Sequence, residues 1–311
     1  MKRPASKIVI AAALAGVVLI VLAAVRVATR RDPAGAENGA DTPCGEAFHR
    51  RGARCCPTDH PLSSLGDGLC FAGAASAVCP APLVTTPRGC DTPERSVVRV
   101  PKTTVVIGPS DWEAEGRVKP RTVTAGPFDI DRFEVTVGHM RCSGCPSDAE
   151  ARLGGGDIAR AASLVTQGEA RAVCQARGGR LPTEDEWIAA AAGSKPSRYP
   201  WGDTGAVCRR AAWGLLRGPC ATGATGPDTA GAHPDGASPL GIHDLAGNVE
   251  EWVETEEKCE PGAPCFGVVR GGSYHTVLAT ELRTWVRRRV PADAREAGIG
   301  FRCAYDAGAL D

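Results

Sequence analysis

The tightest local constraint in this chain is Arg270-Gly271-Gly272-Ser273-Tyr274. Two consecutive glycines give the backbone freedom that residues with a Cβ lack. Val268 and Val269 lead in as a short strand, and Ser273-Tyr274 lead out. A strand that turns sharply and presents a hydroxyl beside an aromatic ring makes a floor for a site. A glycine bulge next to a core tyrosine is the plainer reading of the same residues. With 38 Gly, 24 Pro and few aromatic rings, the chain favours a loop-rich fold over a helical bundle. Its six tryptophans suggest loops pinned by large rings.

The chain reads as three segments. Residues 1–31 hold an unbroken apolar run, 8–25, preceded by Lys2, Arg3 and Lys7. Eighteen residues is about the shortest helix that spans a bilayer, and the basic flank leaves the N-terminus in the cytoplasm. The expectation is a cytoplasmic tip and an uncleaved transmembrane anchor. A cleaved signal peptide, which would release the rest as a secreted protein, is the alternative. All 14 cysteines follow this run, which fits a periplasmic or extracellular compartment where disulfides persist. Residues 32–97 read as a cysteine-rich linker or small stapled module, with Cys44, Cys55, Cys56, Cys70, Cys79 and Cys90. Sequence cannot choose among their pairings, and the spacing lacks the paired CxxC of a zinc ribbon. The 36 basic and 36 acidic residues cancel, so nothing in the charge balance points to nucleic acid.

Residues 98–311 form the main domain. Strands are expected over 98–107, with Pro101 marking an edge or a start, and over 122–137, where the period shifts at Arg132-Phe133. Thr136 is placed to cap a short helix holding Met140. Cys142 and Cys145 form a CxxC, read as structural bridging because no βαβ pattern surrounds it. Thr166 to Glu169 and Thr183 to Glu186 are capping boxes opening two helices. The first buries Ala170, Val173 and Cys174, and the second Trp187, Ala190 and Ala191. Arg180, between them, is read as fixing loops by ion pairs, with a catalytic role as the alternative. Cys208 and Cys220 flank a tryptophan loop, and Cys259 and Cys265 flank a surface loop; both look bridged. Leu282, Thr284 and Val286 alternate with Arg283, Trp285 and Arg287, which predicts a strand, and a final strand is expected over 298–304.

Residues 239–252 carry the densest signal. Asp244, Asn248 and Glu251 are oxygen donors within eight residues, with Gly247 at a turn. Hard oxygen donors at such spacing suit calcium. Short polar side chains bonded to their own backbone are the alternative.

Taken together, residues 98–306 resemble the formylglycine-generating enzyme family, also called the sulfatase-modifying factor family. The stretches that carry the resemblance are Phe128 to Thr136, Gly179 to Trp187 and Tyr199-Pro200-Trp201-Gly202, then Gly241 to Trp252, Arg270 to Tyr274 and Gly300-Phe301-Arg302-Cys303, in family order. The resemblance implies an α+β, C-type-lectin-like fold of the formylglycine-generating enzyme type, loop-rich, with short twisted strands and two main helices. It also implies a Cys174–Cys303 disulfide. It implies a structural calcium held by Asn248, the Val249 carbonyl and Glu251. Its second calcium site usually uses an asparagine after the aromatic turn, and none stands at residues 209–213. It places a substrate groove at Ser273 and Tyr274, with His275, Thr276 and Glu281 following.

Family oxidases use copper(I) on two thiolates, because soft ligands select that ion. Those positions fall on Thr276 and Glu281 here, so copper is not expected. The helical bundle of the branch that makes sulfur-containing betaines is absent. The sequence therefore predicts a membrane-tethered, non-catalytic domain that binds an envelope protein or ligand outside the cytoplasm. The alternative is an enzyme with a non-standard metal site, for which Ser273, His275 and Glu281 are the catalytic candidates and His275, Glu281 and Asp244 the hard ligands.

Overall fold

The computed structural model describes residues 48–51, 54–57, 79–108, 119–140, 157–255 and 264–309. The apolar run 8–25, the Cys142–Cys145 pair and Cys259 lie outside them. No helix among the described residues is long and apolar enough to cross a membrane.

The chain divides into two compact units, residues 1–73 and 74–311. In the first, β1 (Phe48–Arg51) and β2 (Arg54–Pro57) pair antiparallel. The second unit begins earlier than the boundary expected near residue 98. Its first hairpin, β3 (Val84–Thr86) and β4 (Gly89–Asp91), is closed by Cys79–Cys90. Arg88 donates to the Gly138 carbonyl at 2.6 Å, and Arg177 to the Glu94 carbonyl at 2.8 Å. These bonds explain why residues 79–97 pack with the main domain and not with a linker.

Pro101 and Pro127 divide the next two expected strands. Proline lacks the N–H that would continue a ladder. The results are β5 (Val97–Val100) and β6 (Thr103–Ile107), then β7 (Arg121–Ala125) and β8 (Phe128–Asp131). β6 and β7 form a hairpin with alternating burial along β6. Beyond β8 the chain leaves the sheet at Arg132, where the period shifts. Thr136 accepts from the His139 N–H through its hydroxyl and opens a single 3-10 turn, Gly138–Met140.

Both capping boxes form. Helix α1 (Gln167–Ala176) starts at Thr166, whose hydroxyl accepts from Glu169 N at 3.1 Å while the Glu169 carboxylate accepts from Thr166 N at 3.0 Å. Helix α2 (Glu184–Ala192) repeats the pattern with Thr183 and Glu186. Such caps satisfy backbone donors that a helix start leaves orphaned and are worth about 1 kcal/mol each. Trp187 and the alanines of α2 pack under β6 and β7 in one core cluster. Val173 and Cys174 of α1 pack on Trp252, Phe301 and Tyr305 in a second.

The remaining strands are β9 (Glu250–Val253), β10 (Phe266–Arg270), β11 (Arg287–Pro291), β12 (Ile299–Gly300) and β13 (Ala304–Asp306). They build a four-stranded sheet in the order β11-β10-β9-β12, with β12 parallel to β9, and a three-stranded sheet in the order β13-β8-β5. The expected final strand is thus two short strands in different sheets. The strand expected at 282–286 is absent. Leu282, Arg283, Thr284 and Trp285 are all buried, so they have no alternating faces. Thr284 instead bonds through its hydroxyl to the Ser197 carbonyl at 2.7 Å, and the ladder begins only at Arg287.

Cys174 and Cys303 are bridged, tying α1 to the end of the chain across 129 positions. In the chain-entropy account such a loop is worth about 5 kcal/mol. Cys208 and Cys220 close the tryptophan loop. With short strands, two α-helices among the described residues and long ordered loops, the architecture is the α+β, C-type-lectin-like one.

Candidate functional site

The glycine pair ends β10 and turns the chain sharply. Gly271 and Gly272 sit at φ +99° and +70°, where side chains are strained. A Cβ on Gly272 would also meet Leu282 Cδ2 at 2.7 Å. The turn is locked from the far side: the Thr276 hydroxyl accepts from Ser273 N at 2.9 Å, and Thr276 N donates to the Ser273 carbonyl at 2.9 Å.

This turn lines a groove of about 660 Å³. Ser273, His275, Thr276 and Glu281 all border it, together with Glu250, Arg288, Glu296 and Gly298. Gly298 is where the groove stays open. A Cβ there would lie 2.8 Å from Ser273 Oγ and 3.4 Å from His275 Nδ1. One point at that glycine is therefore within contact of both polar atoms. Ser273 is largely buried, whereas His275 and Glu281 are exposed at the mouth.

Tyr274 does not border the groove. It is fully buried with Trp213 and Leu215 in a third core cluster, and its hydroxyl donates to the Thr225 carbonyl at 3.3 Å. Its ring lies under that of His275, with centroids 3.9 Å apart, so it supports the groove from beneath. Asp244 is not brought to the groove either. It is buried, accepts from Gly231 N at 2.6 Å and shares its surroundings with Arg302. Burial, with the Glu251 charge adding to it, pushes its carboxyl up to about 6. The expected trio of hard ligands is reduced to His275 and Glu281.

Of the residues expected to hold calcium, the side chains of Asn248 and Glu251 are turned inward. Both oxygens of Glu251 are engaged by Arg302: Oε1 with Nη2 at 2.6 Å, Oε2 with Nε at 2.8 Å. Oε2 also accepts from Trp187 Nε1 at 2.8 Å. Glu251 and Arg302 are both fully buried. Asn248, at φ +57°, accepts from Asp228 N at 2.7 Å and donates to Glu134. A carboxylate neutralised by a guanidinium is a poor ligand for a hard cation, and the Asn248 oxygen is already used. The donor set does not fit calcium; it fits a buried polar clamp. Glu134 belongs to the same clamp, and burial beside Asp244 and Glu251 pushes its carboxyl well above the ordinary range.

Sequence reasoning missed Glu250, Arg288 and Glu296. Arg288 Nη2 reaches Glu250 at 2.5 Å and Glu296 at 2.9 Å, bridging one wall of the groove to the other. The run Arg287-Arg288-Arg289 was the available signal, but β9, β11 and the loop before β12 must assemble before its partners appear.

A model of the family described as the sulfatase-modifying factor enzyme 1-like domain matches residues 84–307. The chain belongs to that family. Among relatives, the inactive C-alpha-formylglycine-generating enzyme 2 of Bos taurus is 34% identical over 157 residues, covering 46% of this chain and 50% of that protein. The formylglycine-generating enzyme of Thermomonospora curvata is 27% identical over 284 residues, covering 68% and 94%. The chain spans about half the length of the first of these relatives. The solved structure of PvdO from Pseudomonas aeruginosa superposes with a TM-score of 0.52 at 22% identity, covering 74% of this chain and all of that one. This last likeness supports the fold. In this sulfatase-modifying factor domain, the match contains both helices, the Glu251–Arg302 clamp and the whole groove.

Proposed function

We propose that this chain is a non-catalytic sulfatase-modifying factor domain, tethered to a membrane by residues 8–25, whose groove binds a protein or ligand outside the cytoplasm. The carrying observation is the chemistry at the groove mouth. The positions that bear thiolates in the family's oxidases are Thr276 and Glu281. The Thr276 hydroxyl is committed to the Ser273 N–H, and Glu281 offers a carboxylate, which suits hard cations and not copper(I). Among the described residues from 79 onward every cysteine is disulfide-bonded, so none of these offers a thiol to substitute. The frame around them is intact, and function resides in the site and not in the fold. The likeness to a relative named as inactive supports the same reading. The reading of an enzyme with a non-standard metal is weakened because Asp244 is buried elsewhere and Glu250 and Glu296 are paired with Arg288, leaving His275 and Glu281 of the expected trio.

The groove reading is tested with Gly298→Ala. Its added methyl group occupies the point between Ser273 and His275. Proteins captured from envelope extract by the wild-type chain are lost with this variant while its melting temperature stays within a few degrees. Identical capture by both chains refutes binding through the groove.

A further inference from the structure

The loop 209–219 carries no helix or strand, yet the groove rests on it. Ala211, Ala212, Trp213 and Leu215 are buried with Tyr274 in the third core cluster. Backbone bonds fix the contact. Leu215 N donates to the Tyr274 carbonyl at 2.9 Å, and Asn248 N donates to the Ala212 carbonyl at 2.8 Å. Tyr274 N in turn donates to the Asn248 carbonyl at 2.9 Å. The Tyr274 ring lies under that of His275, and Thr276 closes the turn on Ser273. A chain of contacts therefore runs from the loop to the polar atoms of the groove.

The loop has a flaw and a fastening. Trp213 Nε1 is buried with no hydrogen-bond partner among the described residues, and a buried donor left unpaired works against the folded loop. The fastening is Cys208–Cys220, which closes the loop across a sequence separation of 12. So short a closure removes much of the freedom that the opened loop would gain. This bridge is also within reach of solvent. Among the described cysteine side chains Cys208 alone is exposed, whereas Cys174 and Cys303 are both 0% exposed. Thiol–disulfide exchange begins with a thiolate attacking a sulfur, so access decides which bridge yields first.

We propose that Cys208–Cys220 is a redox switch for the groove: a dithiol reductant opens it, the loop 209–219 loosens, and the turn at residues 273–276 loses its support. This rests on the groove being a binding site. In the first step a thiolate of the reductant bonds to Cys208 Sγ. The bond between the two cysteines breaks, and Cys220 leaves as a thiolate that takes up a proton. The second thiol of the reductant then displaces Cys208 from the mixed disulfide. Two electrons and two protons pass to the protein, and the reductant ends as a disulfide. Cys174–Cys303, with both residues enclosed, keeps α1 tied to the end of the chain throughout.

The test treats the purified chain with rising dithiothreitol under native conditions, alkylates it with iodoacetamide and maps the labelled cysteines by mass spectrometry. Cys208 and Cys220 are labelled at concentrations that leave Cys174 and Cys303 unlabelled. At those concentrations amide hydrogen exchange quickens in the peptides holding Leu215 and residues 274–276. The gain is up to about a hundredfold, the scale set by closing a loop this short. The amides of α1 exchange as before. The double variant Cys208→Ser/Cys220→Ser shows the faster exchange without reductant and does not respond to it. Labelling of Cys174 and Cys303 as early as Cys208, or selective opening that leaves exchange at 274–276 unchanged, overturns the proposal. Equal loosening of α1 overturns it as well. No ligand enters these readouts, so they are separable from the groove reading. A chain whose capture of partners is lost with Gly298→Ala, but whose exchange ignores reduction, refutes this inference only. A chain that loosens on reduction but is indifferent to Gly298→Ala refutes the groove reading.

Discussion

Replacing Glu251 with glutamine exposes what the most recognisable motif of the chain does. Glu251 and Arg302 are fully buried, and three hydrogen bonds end on the Glu251 carboxylate. Glutamine keeps one acceptor oxygen but turns an N–H₂ group toward the guanidinium, so it removes the compensating charge and sets donor against donor. Breaking one side of a buried pair costs about 3–5 kcal/mol. For a unit of this size each kcal/mol is worth roughly 2–4 °C, so the melting temperature falls on the order of 10 °C. Arg302→Met costs a similar amount. The double variant Glu251→Met/Arg302→Met costs distinctly less than the two single changes added together, because it leaves no orphaned charge. Thermal denaturation of the four chains, with and without a calcium chelator, measures all of this. The chelator leaves the wild-type curve unmoved, because the carboxylate is spent on Arg302. A single variant within about 1 kcal/mol of wild type, or a wild type destabilised by chelation, refutes the clamp and restores the calcium reading.

Two further outcomes follow from the buried groups. Asp244→Asn separates burial from charge. The Asp244 pKa is raised by burial to about 6, so the wild-type residue contributes most below pH 4 and loses that contribution as pH rises through 6. Relative to wild type, the asparagine variant gains up to roughly 3 kcal/mol between pH 4 and pH 7, read from denaturant midpoints; a pH-independent difference contradicts the assignment. Removing the Cys174–Cys303 bridge by Cys174→Ser/Cys303→Ser costs about 5 kcal/mol, and non-reducing peptide mapping of the wild type shows the two joined; free thiols at both positions contradict it.

What was legible in the sequence was local. A capping box needs residues three apart, so Thr166 and Thr183 could be read directly, and both form. The turn at Gly271-Gly272 likewise brings Ser273, His275 and Thr276 to one groove because they are neighbours in the chain. What was not legible depends on distant partners. Glu251 looked like a metal ligand beside Asn248, but its partner Arg302 lies 51 residues on. The alternation at 282–286 looked like a strand, but a bond from Thr284 to Ser197, 87 residues away, holds it as irregular chain. The Glu250–Arg288–Glu296 bridge requires β9 and β11 to flank β10 first.

The central claim is that this domain recognises without oxidising. The measurement that tests it most directly incubates the purified chain with copper(I), oxygen, a reductant and a peptide carrying the sulfatase cysteine motif, and follows the peptide thiol by mass spectrometry. With Thr276 and Glu281 in place of two thiolates, the thiol is consumed no faster than in the enzyme-free control. Conversion of the cysteine to formylglycine above that control contradicts the account.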